Sequence, residues 1–188
     1  MKTRVLIQVI LITLAIHSAG CTDSSDKQLW GQAESGMTPA QVLKVFPDAK
    51  KNPKPTFSPH NNSQSHVIIP TKLIHGVDFK VSFSFNSTGL VGVGFHSKYS
   101  SKKTASLMES LLSEKYGAPA KIIDNTMTQL RKVEWYDTPV SILLSYYGDI
   151  DGDTDGDIDG GDLDGGDLVF PSLFITYDHF RYDAVNSL

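Results

Sequence analysis

The chain has 188 residues, of which 40% are hydrophobic and 20% charged, with 15 glycines, 9 prolines and one cysteine. This length and composition fit one ordinary globular domain and exclude a collagen-like or wholly disordered chain. The formal net charge is −4, but nine aspartates lie in the tract 148–167, which leaves 17 basic against twelve acidic residues elsewhere, a net charge of +5. A mildly basic body with one acidic tract argues against a nucleic-acid-binding protein, whose basic charge is clustered on one face.

Residues 1–20 have the layout of a secretory signal peptide. Lys2 and Arg4 precede an apolar run from Val5 to Ile16, and small residues follow directly before the single cysteine. The run of about twelve residues is too short for a spanning helix, which needs roughly 20. We therefore expect this segment to be cleaved off and to take no part in the fold.

Residues 18–21, Ser-Ala-Gly-Cys, resemble the lipobox of bacterial lipoproteins, with Ser where the family usually has Leu. The resemblance implies cleavage before Cys21, acylation of that residue and a lipidated tether over 21–28. Two or more acyl chains anchor a protein stably where one chain is marginal. Thr22 stands where the family's inner-membrane retention signal has Asp, so the resemblance implies an outer-membrane lipoprotein facing the periplasm. The alternative is ordinary cleavage after Gly20, which gives a soluble secreted protein with a free thiol.

The first predicted element of the mature chain is a helix that starts at Thr38. This residue is suited to the N-cap, Pro39 to the first helical position, and Gln41 can complete a capping box. Pro47 is expected to stop the helix. The stretch from Lys50 to Gln64, which contains three prolines, is predicted to be a surface loop.

Residues 77–85 alternate strictly between apolar and polar side chains and predict an antiparallel strand with one wet face. Further strands are predicted over 66–74, 90–95, 130–136, 140–147 and 168–177. A second helix is predicted over 101–116, with an apolar stripe formed by Leu107, Met108, Leu111, Leu112 and Tyr116.

This order predicts a single α+β domain over 29–188, with two helices packed on a largely antiparallel sheet. Because each helix is followed by a meander, we interpret the domain as a pseudo-duplicated helix-plus-antiparallel-meander fold. The segment Gly36 to Val42 resembles the opening of small outer-membrane lipoproteins of the SmpA/OmlA type and of β-lactamase-inhibitor-like folds. That resemblance implies an envelope compartment and an α+β fold type.

The tract 148–167 lies between two predicted strands and predicts an acidic hairpin insertion. In one register it resembles the calcium loops of EF-hand and dockerin-type motifs, with Gly156 at the sharp turn. Six aspartates then fall at ligand positions 1, 3, 5, 7, 9 and 12: Asp151, Asp153, Asp155, Asp157, Asp159 and Asp162. Asp162 replaces the usual bidentate Glu and no helices flank the loop, so calcium should bind weakly, with Kd on the order of 10⁻⁴ to 10⁻³ M. Alternating aspartates fill several positions automatically, and a disordered acidic loop without specific binding is the alternative.

The sequence contains no nucleophile elbow, phosphate loop or dinucleotide fingerprint, and its six histidines are widely spaced. We therefore expect no catalytic residues and no enzymatic activity. The function predicted is a binding or scaffolding module that contacts the membrane through its lipid anchor, has a protein partner, binds calcium through 151–162 and does not bind nucleic acid. The alternatives are a soluble secreted calcium-responsive protein and an envelope enzyme without a recognisable motif.

Overall fold

A computed structural model describes residues 27–59, 61–98, 100–148 and 171–179 of the chain. The predicted signal peptide 1–20, Cys21 and the six aspartates of the calcium prediction lie outside the described residues. The predicted tether 21–28 overlaps the described part only at its last two residues, and Gln28 already belongs to the first strand.

The described residues form two helices and a mostly antiparallel sheet, which confirms the α+β prediction. The helices are α1 (Pro39–Val45) and α2 (Lys102–Tyr116). The strands are β1 (Gln28–Trp30), β2 (Ala33–Glu34), β3 (Lys50–Lys51), β4 (Phe57–Ser58), β5 (Ser63–Ile74), β6 (Val77–Asn86), β7 (Gly89–Lys98), β8 (Lys121–Asn125), β9 (Leu130–Asp137), β10 (Val140–Tyr147) and β11 (Ser172–His179). β1 and β2 pair with each other, and the other nine form one sheet.

The strand order of the large sheet is β3-β5-β6-β7-β11-β10-β9-β8, with β4 paired to β5, and every pairing is antiparallel. Strands that follow α1 therefore form one half of the sheet, and strands that follow α2 form the other. The two halves meet where β7 pairs with β11.

Local capping chemistry sets the helix ends as the sequence predicts. The Thr38 hydroxyl accepts a hydrogen bond from the Gln41 backbone N–H at 3.3 Å, and the Gln41 side chain accepts one from the Thr38 backbone N–H at 2.7 Å. Ser101 caps α2 by accepting from the Thr104 backbone N–H at 3.2 Å. α2 ends at Gly117, whose φ of 83° suits a residue without a side chain.

The predicted loop from Lys50 to Gln64 is wrong in part, because it contains β3, β4 and the start of β5. Two-residue strands are too short to show an alternating pattern. β8 is also absent from the sequence prediction, and all five of its residues are exposed. An edge strand with no buried face carries no burial signal in its sequence.

The core lies between the helices and one face of the sheet. The apolar residues predicted for β6 are buried, from Phe79 to Phe85 at alternate positions. α2 contributes Ala105, Met108 and Leu112 to this core, whereas Leu107 of the predicted stripe is 44% exposed. Trp135 is 1% exposed, and its indole N–H donates to the Gly117 carbonyl at 3.2 Å, which holds the end of α2 against β9.

We expect the Phe83→Ala variant to lose about 3–5 kcal/mol of unfolding free energy, because this fully buried ring leaves a cavity beneath Phe46, which it contacts at 5.1 Å between centroids. Leu73→Ala, at a position 66% exposed, should change it by less than about 0.5 kcal/mol. Urea unfolding at equilibrium measures both. Equal effects at the two positions would contradict the assigned core.

Candidate functional site

The candidate site lies on the face of the sheet that points away from the helices, here called the open face. Strand register places its side chains in three rows across β6, β7, β11 and β10. The first row is Lys80, His96, Phe174 and Ser145; the second is Ser82, Gly94, Thr176 and Leu143; the third is Ser84, Gly92, Asp178 and Ser141.

A groove of about 550 Å³ runs over β6 and β7 on this face. Its floor consists of small residues, two serines from β6 and two glycines from β7. A Cβ on Gly92 would overlap the Asp178 carboxylate, and one on Gly94 would lie 3.1 Å from the Ser82 hydroxyl oxygen. The groove therefore depends on the absence of side chains along β7.

The first wall of the groove is the proline-containing segment 52–58, and partly buried hydrogen bonds fix it to β5. The Asn52 side-chain amide donates to the Ser65 carbonyl at 2.7 Å and to the Ser65 hydroxyl at 3.1 Å. The Thr56 backbone N–H also donates to that hydroxyl, at 3.0 Å. Ser65 is 8% exposed, so the bonds meet at a buried side chain and hold the wall in place.

One end of the groove is crossed by a contact between Asn61 and Asp178. The Asn61 amide nitrogen lies 3.5 Å from the Asp178 carboxylate, at the long limit of a hydrogen bond. The Ser63 hydroxyl donates to the Asn61 carbonyl oxygen at 2.5 Å, which directs the amide nitrogen toward Asp178. Residues distant in sequence are thereby joined across the third row.

The second wall is formed by β11 and carries aromatic surface. The rings of His96 and Phe174 stack with centroids 4.3 Å apart and planes 4° apart. The Tyr147 ring lies nearly perpendicular to the same Phe174 ring, with centroids 6.0 Å apart. Phe174 is nonetheless 37% exposed, so apolar surface faces solvent beside the polar groove.

The surroundings of His96 favour its neutral form. Partial burial lowers the pKa of His96 below its ordinary value of 6.5, and the positive charges of Lys98 and Lys80 lower the pKa further. A neutral imidazole has one N–H donor and one acceptor nitrogen, so it can donate a hydrogen bond to a neutral polar ligand or accept one from it.

Two hydroxyl groups of the groove are held in place by hydrogen bonds within the protein. Ser82 donates to the Gly94 carbonyl at 3.3 Å, and Ser65 accepts from the segment 52–58, as described above. The lining also includes Lys80 near one end and Asp178 at the other. Such a surface offers neutral donors and acceptors, one cation and one anion, and it suits recognition of a polar ligand.

A cluster of charged side chains outside the groove lies on the helix side of the sheet, where it joins α2, β8 and β9. Arg131 of β9 donates to both carboxylate oxygens of Glu109 in α2 at 2.9 Å and to both of Asp124 in β8 at 2.7 Å. The Glu109 hydrogen bonds, with those of Asp124, raise the pKa of Arg131. We interpret this cluster as a structural link between α2 and the sheet.

No motif in the sequence points to the groove residues. His96 is one of six widely spaced histidines, and residues 50–64 are predicted to be a surface loop. Two signals were present in the sequence: the Gly-x-Gly in a strand, which indicates a close approach, and Phe174, an apolar residue on the polar side of an alternating strand.

The sequence-predicted sites at Cys21 and over 151–162 lie outside the described residues. Within the described ranges, no three carboxylate, imidazole or thiol side chains come together as a metal site. Neither described helix is long and apolar enough to cross a bilayer. Comparison with protein-family models, with curated proteins and with solved structures found no match to this chain.

Because the pKa of His96 is lowered in the fold, the unfolded chain binds more protons below about pH 6.5, and His96 lowers stability as pH falls through this range. We expect an NMR titration to give a His96 pKa below 6.5 and the Lys98→Gln variant to raise it. His96→Gln should weaken the loss of unfolding free energy between pH 7.5 and pH 5. A His96 pKa at or above 6.5 would contradict the assigned environment.

Proposed function

We propose that the mature chain is a membrane-tethered binding or scaffolding module whose contact surface is the open face of the sheet. The observation that carries this proposal is the groove over β6 and β7, which has fixed walls and a floor of small residues. The helices cover the opposite face, where the large apolar side chains are buried. The open face is therefore the broad surface of the sheet that the two described helices leave uncovered.

The tether is proposed to begin at an acylated Cys21. Since β1 begins at Gln28, six residues separate Cys21 from the fold. Six residues span at most about 20 Å when fully extended, so a lipid anchor would hold the domain close to the bilayer surface. The proposed compartment is the periplasmic side of the outer membrane.

Calcium binding through 151–162 is the second part of the proposal. The insertion connects β10 to β11, which pair antiparallel with Tyr147 opposite Ser172 at the strand ends. Closely spaced strand ends suit a hairpin insertion, and hard carboxylate oxygens are the ligands that calcium prefers. β11 also carries Phe174, so the insertion and the groove share a strand.

We also propose that the domain is pseudo-duplicated. Each half has a helix followed by a meander, α1 with β5 to β7 and α2 with β8 to β11. The halves join through their last strands, β7 and β11, as two related units would around an approximate twofold axis. The order of elements supports this interpretation.

The alternatives differ in anchoring or in chemistry. A soluble secreted calcium-responsive protein would follow from cleavage without acylation at Cys21, and mass spectrometry of the mature N-terminus distinguishes the two. An envelope enzyme would require turnover at the groove, where the described serine hydroxyls contact backbone and amide groups.

The binding proposal predicts that Thr176→Arg reduces recovery of cross-linked envelope partners about tenfold, because a long charged side chain would fill the second row of the groove. Ser106→Arg on the exposed surface of α2 adds the same side chain and should leave recovery unchanged. Cross-linking in intact cells followed by isolation of outer membranes measures both. Equal recovery with both variants would refute the assigned surface.

Calorimetric titration of the mature chain should give saturable calcium binding with Kd on the order of 10⁻⁴ to 10⁻³ M. Calcium at ten times Kd should then raise the unfolding free energy by about 1.4 kcal/mol, if it binds only the folded chain. A variant lacking residues 149–167 should show neither the binding heat nor the stabilisation. Magnesium, added as a competing ion, is the control for calcium selectivity. If several millimolar calcium produced no binding heat and no stabilisation, the proposal that the tract binds calcium would be wrong.

A further inference from the structure

We propose that the groove on the open face binds a neutral saccharide chain of two or three rings. This inference rests on the proposed function, because it names the ligand class of the same surface. Four properties of the groove support it: the pairing of its floor strands, the chemistry of its lining, its aromatic wall and its dimensions.

The floor of the groove offers no backbone edge for a peptide strand. β6 pairs with β5 and β7, and β7 pairs with β6 and β11, so the central backbone groups already belong to ladders. A peptide lying there could not extend the sheet, and its own N–H and C=O groups would depend on side chains for partners. A saccharide makes its polar contacts through hydroxyl groups and needs no strand edge.

The lining chemistry matches hydroxyl groups. Serine hydroxyls, asparagine amides and a neutral imidazole can each both donate and accept hydrogen bonds, as sugar hydroxyls do. The Ser82 hydroxyl and the Asn52 amide already donate within the protein, so a ligand meets these groups mainly through their oxygen atoms. One carboxylate, Asp178, lies at one end and one ammonium group, Lys80, near the other. These charges balance among the described residues of the lining, which therefore favour a ligand without net charge over an acidic or a basic one.

The aromatic wall provides the apolar part of the site. Sugar rings have a face of C–H groups that packs on aromatic carbon. Phe174 offers such surface at 37% exposure, and its stacking on His96 fixes its orientation before any ligand arrives. A fixed side chain loses little conformational freedom on binding, so preorganisation favours affinity.

The dimensions fit a short oligosaccharide. The first and third rows are four residues apart along β6, which gives a floor about 14 Å long, room for about two or three pyranose rings. The volume of about 550 Å³ is within the common range for small-molecule sites, about 300–1,000 Å³. The Asn61–Asp178 contact crosses the third row, so the chain would enter from the side of Lys80.

The experiment titrates the mature chain with neutral oligosaccharides of one to four rings, in the α- and β-linked glucose series and the N-acetylglucosamine series, by saturation-transfer NMR and calorimetry. We expect at least one series to bind, with affinity rising up to two or three rings. Phe174→Ala should weaken that binding about tenfold by removing the aromatic wall. Tyr136→Ala, which removes an exposed aromatic from the same face outside the groove, should change it less than about twofold.

Thermal unfolding of both variants checks that they remain folded. A second substitution, Gly94→Val, fills the floor and should abolish binding without removing an aromatic ring. Binding that survives Phe174→Ala and Gly94→Val would overturn the proposal, and so would the absence of binding by every neutral series. If no sugar binds but Thr176→Arg still abolishes capture of an envelope protein, the saccharide inference fails and the proposed function stands. If neither saccharide binding nor capture of an envelope protein depends on the open face, the saccharide inference and the proposed function both fail.

Discussion

The pairing of β7 with β11 is the contact on which the rest of the structure depends. Seven residue pairs, from Lys98–Ser172 to Gly92–Asp178, join the strands that end the two halves of the domain. On the helix side this ladder places Phe95 against Tyr177, with ring centroids 5.7 Å apart. The apolar residues of the two halves therefore form one continuous core. The partners are about 80 residues apart in sequence, so the ladder forms only after a large loss of chain entropy. It therefore requires the apolar burial on both sides of the junction.

The same pairing creates the open-face groove. Alternation sends Phe95 and Tyr177 toward the helices, and it sends Gly94 and Thr176 in the opposite direction. The glycines of β7 lower the floor, and β11 supplies the taller side chains beside it. Core and groove are therefore two consequences of one register, and a shift by one residue would exchange them. This link explains how a site can exist without a motif in the linear sequence.

Local signals made much of the fold predictable. The capping box at Thr38, the Ser101 to Gly117 helix and the alternation in β6 each depend on neighbours within a few residues, and the structure has all three. The groove depends instead on strand order and on side-chain hydrogen bonds such as Asn52 to Ser65, which join a predicted loop to the sheet. No local pattern determines which strand lies beside β7. The lipid anchor and the calcium loop come from motifs outside the described residues and stay predictions.

The sheet has the core on one side and, on the other, a groove lined by small polar residues and by the aromatic rings of Phe57 and Phe174. The central claim is the β7–β11 register, because both the core and the groove follow from it. The most direct test is a set of NMR nuclear Overhauser contacts between backbone protons of the two strands. The account predicts contacts in the register of His96 with Phe174 and Gly94 with Thr176. Contacts shifted by one residue, or β11 paired with a different strand, would contradict it.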